Sequence, residues 1–249
     1  MIEKDKWIKL NNSPIVLAIL QIQFELPEDY DVKNFLTNEK ALKVELPFKQ
    51  NDFSGNINIP SIPVVGISTA QISSSISGYS FFNKETQRIV SINKNSFTYS
   101  SEAKYEGWEG FKNEGLKYFS LFSDILSSIE LTRLSVRFIN KINLPLDENL
   151  LNYFKITISA QEGAVKYPSD FFSLKFRSSI PGTKISTNLG LSLEERNHES
   201  LGYVFDIDVL DHEIRKYDLD KISESFDNLR EVKNDIFFSC ITEKTVSML

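Results

Sequence analysis

Arg133, Ser135 and Arg137 recur at every second position of LTRLSVRFINKINL (131–144), with Leu134, Val136, Phe138 and Asn140 on the other parity. Successive side chains of a strand point to opposite faces, so this spacing sets two guanidinium groups on one face. A guanidinium carries its donors in a planar fork that matches a carboxylate or phosphate, and two on one face could hold such a group. The simpler expectation from the same alternation is an apolar inner face and a basic outer face, its cations answered by acidic residues of a neighbouring element. Asn140 and Lys141 close the pattern, and a buried Asn near a strand end has a plain use in satisfying backbone groups.

A second set of groups is acidic. Asp206 and Asp208 in YVFDIDVLDHE share a strand face, and paired carboxylates suit divalent cations, but the plainer account is the wet side of a strand. His198 lies in a polar turn and His212 follows Asp211, neither with a partner at metal spacing. With one cysteine in the chain, the clustered Cys and His of a zinc site are missing. Cys240 falls in an apolar helical stripe and reads as an inert core thiol. No Gly-x-Ser-x-Gly, Gly-x-x-x-x-Gly-Lys-Ser/Thr or Gly-x-Gly-x-x-Gly occurs, and Pro181-Gly182-Thr183-Lys184 reads as a hairpin turn. No catalytic residue, metal or cofactor is therefore expected.

The elements that must position these groups follow from periodicity. Leu20, Ile22 and Phe24 alternate with Gln21, Gln23 and Glu25, a half-buried strand over 15–25. Residues 32–46 form a helix candidate, and 56–101 read as an antiparallel meander with strands near 67–75, 78–83, 87–93 and 96–100. Trp108, Phe111, Gly115, Tyr118, Phe122, Ile125 and Ile129 recur at helical steps. Gly110 and Gly115 each weaken that helix by about 1 kcal/mol, and a small residue on its buried face permits close approach to a sheet. Strands follow at 170–178, 183–193 and 202–210. One long amphipathic helix over 220–249 then closes the chain, with Ile222, Phe226, Leu229, Ile236 and Cys240 as its stripe. Strands then a helix, twice over, predict an α+β fold of antiparallel sheets with packed helices in two similar lobes, 1–150 and 151–249. One continuous domain is the other reading.

With 249 residues, 41% hydrophobic and 25% charged, the chain can bury a sizeable core as one domain or two. A net charge of -6 argues against a general nucleic-acid binder, though not against a local basic patch. A single cysteine fits a reducing compartment. MIEKDKWIKLNNSP lacks the apolar core of a signal peptide, and the longest apolar run, IVLAIL (15–20), falls short of the roughly 20 residues of a membrane helix. The expectation is a cytoplasmic protein without a membrane contact.

Three stretches carry a resemblance: NSPIVLAILQIQFE (12–25), RLSVRFINKINLP (133–145) and LREVKNDIFFSCITEK (229–244). In this order they resemble the motifs of a sporadically distributed family of uncharacterised bacterial proteins, from which the chain departs at Lys141, where an Arg is common. The resemblance implies that Arg137, Asn140 and Lys141 are the signature polar positions. The family's patchy distribution implies a setting among phage-defence and toxin-control genes. Together with the missing catalytic motifs, this leads to a non-enzymatic interaction or regulatory module with a protein partner, itself or operon-encoded. Arg133, Arg137, Asn140 and Lys141 are its candidate binding residues. The alternative is an enzyme or ligand sensor acting on nucleotides or nucleic acid through an Arg/Lys/Asp site between the lobes.

Overall fold

The computed structural model describes residues 7–58, 71–146, 149–156, 171–196 and 198–249. The strands are β1 (Ile15–Phe24), β2 (Phe48–Asn58), β3 (Gln71–Asn83), β4 (Arg88–Asn93), β5 (Ser96–Ser101), β6 (Glu130–Pro145), β7 (Phe172–Ser179), β8 (Ile185–Arg196), β9 (Ser200–Asp211) and the short β10 (Arg215–Lys216). All their pairings are antiparallel, and they join into one 10-stranded sheet in the order β2-β3-β4-β5-β1-β6-β9-β8-β7, with β10 on β6. The architecture is α+β, as the grammar of the sequence predicts, but with a single sheet. β1 pairs with β6, and β6 with β9, so the ladder runs unbroken from the first half of the chain into the second.

The helices are α1 (Glu39–Lys43), α2 (Trp108–Ser120), α3 (Ser123–Leu126), α4 (Leu219–Cys240) and α5 (Glu243–Met248). Strand alternation decides which sheet face they cover. Leu20, Ile22, Tyr99, Val136, Phe138, Phe205 and Ile207 point to one side and are almost wholly buried, packing with Phe111, Phe119, Phe226 and Leu229 of α2 and α4. Phe138 lies at the middle of this layer, its ring within 6.4 Å of those of Tyr105, Trp108 and Phe111. The other side of the sheet carries Gln21, Arg133, Arg137, Asp206 and Asp208 and is only half-buried.

Gly115 makes the contact between α2 and the sheet possible. A Cβ there would stand 2.9 Å from Tyr99 Cδ1 and 3.4 Å from Leu20 Cδ1, so no larger residue fits without moving the helix away. α2 ends at Ser120, short of Ile129. Phe122 N donates to Phe119 O at 3.0 Å, tightening the last turn, while Asn38 Nδ2 takes the Leu121 carbonyl at 2.6 Å.

The closing helix is likewise two helices. Ile241 is extended (φ -105, ψ 158) and forms a bridge with Phe154, and Thr242 caps α5 by accepting from Thr245 N. Its stripe also differs from expectation: Ile236 is half-buried, while Lys233, Asn234 and Phe237 are buried. In the meander, β3 runs as one strand through Ser75 to Ser77, where two were expected, and β2 pairs along it; residues 67–70 lie outside the described residues.

Candidate functional site

The alternation of β6 sends its candidate residues to two faces. Arg133, Arg137 and Lys141 lie on the half-buried side, whereas Asn140 points among the helices and is 2% exposed. Arg137 forks onto Asp206 of β9, Nε donating to Oδ1 at 2.9 Å and an Nη to Oδ2 at 2.6 Å, which holds the guanidinium's pKa up. Lys141 pairs with Glu195, and Arg133 donates to Gln21 Oε1. Asn188 Nδ2 donates to Asp208 Oδ2 at 3.2 Å, while Asp208 Oδ1 is buried without a partner and burial pushes its carboxyl up. This hollow of about 420 Å³ is rimmed also by Lys175 and Arg177, and the Arg137–Asp206 fork is the ion pair within it among the described residues. Asp206 comes from the neighbouring strand β9 and Glu195 from β8, one strand further on.

On the helix side the balance is different. A cleft of about 480 Å³ opens between the chain before α2 (Tyr105 to Trp108), the middle of α4 (Arg230, Lys233, Asn234, Phe237, Phe238) and the N-terminal segment from Trp7 to Ile15. Asn140 is its floor on β6, and Nδ2 donates to the backbone carbonyls of Phe138 and Phe205 at 3.3 and 2.9 Å. The β1–β6 register shifts between Ile15 and Leu17, opposite Asn140 and Ile139, so the ladder is irregular where it borders the cleft. Trp7 stacks on Phe238 with ring centroids 5.2 Å apart and planes 3° from parallel, which gives the cleft one aromatic wall.

Lys233 is the unusual residue. It is 8% exposed, and its Nζ lies 4.3 Å from the centre of the Phe138 ring. Among the described residues it has neither an ion pair nor a hydrogen bond. Burial, with the like charge of Arg230 added, pulls its amine down to about 7. Lys112 of α2 is buried to a similar depth and is fully answered: its Nζ reaches both carboxylate oxygens of Asp227 at 2.7 Å, and Trp108 Nε1 donates to the same carboxylate at 2.6 Å. Arg230, one turn before Lys233, is half-buried and also has no ion pair or hydrogen bond among the described residues. Burial raises the Tyr105 hydroxyl against the pull of Arg230, so Tyr105 presents a neutral O–H.

The first turn of α2 adds to the positive character. It starts at the cleft with Gly107 as N-cap (φ 148), and no side chain caps it, so its N–H groups present the positive end of the helix dipole, with Glu109 as the acid of that turn. Against Lys9, Arg230 and Lys233, the lining's carboxylate is Glu106. A cleft of this size, with aromatic walls and uncompensated cations, has the makeup of a small-molecule site for an anion with a planar part.

Sequence reasoning found Asn140 and missed the rest. Lys233 was legible as the charged residue at the fourth step between Leu229 and Phe237, a break in an otherwise apolar stripe. Cys240 is buried in that stripe, and burial pushes its thiol up, as expected of a core cysteine. His212 Nε2 and Ser186 Oγ lie 2.8 Å apart, and His198 is exposed. No helix among the described residues is long and apolar enough to cross a membrane. Comparisons with protein-family models, curated proteins and solved structures find no match to this chain.

Proposed function

We propose that the chain is a non-enzymatic regulatory module that binds a small anion with a planar part in the cleft beside α4. The observation that carries this reading is Lys233, a buried amine with no carboxylate partner among the described residues, facing a cleft that also receives Arg230 and the uncapped start of α2. Leaving a charge so placed is costly to a fold, and a ligand that supplies the counter-charge removes the cost. The cleft takes its residues from both halves of the chain. That the two halves are similar lobes is part of the same proposal and rests on the repeated order of strands then helix in the sequence. Membership of the sporadically distributed bacterial family, a cytoplasmic setting and a place in phage defence or toxin control belong to the same proposal. They rest on the three ordered motifs and the composition.

Titration calorimetry of the full chain with inorganic phosphate, benzoate and adenosine monophosphate tests the binding. Saturable heat is expected for at least one of them, weakened more than about tenfold (1.4 kcal/mol) by Arg230→Gln. Heats of dilution alone for all three end the reading.

A second reading, docking of a protein partner on the half-buried sheet side, is favoured by the unpartnered Asp208 Oδ1 beside Lys175 and Arg177. A charge-reversed Arg177→Glu that leaves native co-purification unchanged argues against it.

A further inference from the structure

We infer that Lys233 captures a small aldehyde or ketone bearing a phosphate or carboxylate, holding it in the cleft as a reversible imine. The inference rests on the anion-binding reading of the same cleft and adds a covalent step to it.

An amine attacks a carbonyl only as the free base, with its lone pair unshared. Lys112 is engaged elsewhere, its Nζ 2.7 Å from both oxygens of Asp227. Lys233 is the opposite case: the face of the Phe138 ring lies 4.3 Å from its Nζ, and no acid among the described residues pairs with it. The charged and titratable groups around it are Arg230 on its own helix, Tyr105 and Glu106 before α2, and Lys9 on the N-terminal segment; β6 contributes the uncharged Phe138 and Asn140. Desolvation together with a cationic neighbour is a recurring way to make a lysine nucleophilic, and both act here, consistent with an amine brought down to about 7. The same Arg230 and the uncapped first turn of α2 then have a use in gripping the anionic end of the ligand.

The step is balanced without a further reactant. The Nζ lone pair forms a bond to the carbonyl carbon, and the carbonyl π pair moves to oxygen. Nitrogen loses a proton and oxygen gains one, giving the carbinolamine. Its hydroxyl takes a second proton and leaves as water while the nitrogen lone pair closes the C=N bond, and the iminium nitrogen then gives up its remaining proton to balance the one borrowed. Amine and carbonyl become imine and water, and hydrolysis releases the ligand.

The test uses pyridoxal 5′-phosphate, which joins an aldehyde, a ring and a phosphate, and pyridoxine 5′-phosphate, its alcohol, which cannot form an imine. The full chain is incubated near neutral pH with one equivalent of the aldehyde, reduced with borohydride, digested and mapped by mass spectrometry. With an ordinary lysine near 10.4, Lys233 is more than about a hundredfold richer in free base at neutral pH, so its peptide should carry more than about tenfold the label of any other. Lys233→Arg should lose the label and still bind the alcohol in calorimetry. Label spread evenly over the lysines, or none at Lys233, overturns the imine. If the alcohol still binds in that case, the anion site stands alone; if the alcohol fails too, both readings fall. The labelling map of the unaltered chain decides the matter even if the variant does not fold.

Discussion

Lys233 and Lys112 lie on adjacent helices at similar depth and differ in having a counter-ion, so removing their charges should act with opposite signs. Lys233→Met keeps the stem and discards a charge that no described residue pairs; it should stabilise the unliganded protein by about 1–3 kcal/mol. Lys112→Met leaves the Asp227 carboxylate without its cation, with the Trp108 indole as its remaining donor, and should destabilise it by a similar amount. Urea melts of the two variants beside the parent check both signs. The Lys233 effect also has a defined pH dependence. Its amine titrates near 7 in the folded chain and near 10.4 in the unfolded one, so between those values the unfolded chain binds more protons. Stability of the parent, relative to Lys233→Met, should therefore rise as pH climbs from about 7 to about 10, and the gap should be full below 7. A gap that stays constant over that range contradicts a depressed amine. Arg137, the most prominent cation in the sequence, is a lesser matter for stability. It forks onto Asp206 with its side chain 44% exposed, so Arg137→Ala should cost under about 1 kcal/mol. Alternation made the face of Arg137 readable from sequence; the solitude of Lys233 was not readable, because it depends on which acids the fold carries elsewhere.

Two glycines of α2 separate helix propensity from packing. At Gly110 an added Cβ meets nothing within 4 Å, so Gly110→Ala should stabilise by up to about 1 kcal/mol. At Gly115 the same methyl is pressed to 2.9 Å from Tyr99, a ring 1% exposed with Phe111 and Tyr118 against it. Overpacking of about 1–3 kcal/mol then exceeds the propensity gain, and Gly115→Ala should be net destabilising. Thermal melts of both variants are the measurement; a stabilising Gly115→Ala means that the helix can lift from the sheet at little cost. The sequence placed Gly115 on the buried face correctly, since helical periodicity is local. It placed the ends of the helices less well. The breaks after Ser120 and Cys240 are fixed by Asn38 on the Leu121 carbonyl and by Phe154 bridging Ile241, partners far away in the chain that no local pattern reveals.

The two-lobe expectation followed from elements repeating along the chain, but sheet continuity is a property of pairing between them. β6 is hydrogen-bonded to β1 on one side and β9 on the other, along most of its length. Unfolding followed by calorimetry and by tryptophan fluorescence should therefore give one coincident transition, and two separated transitions would instead mark independent halves. The place of β1 has a further consequence, for the growing chain on the ribosome. Its buried face, Ala18 to Phe24, is completed early, when β5 closes against one edge; the other edge waits for β6, with Ile22 facing Leu134. Until residue 145 has emerged, an apolar strand keeps a row of open backbone donors and acceptors, the kind of edge that joins to any other strand nearby. Chains stalled within 101–130 should thus be aggregation-prone and dependent on chaperones, while chains released after β6 should not, which makes the longest strand of the sheet its folding checkpoint.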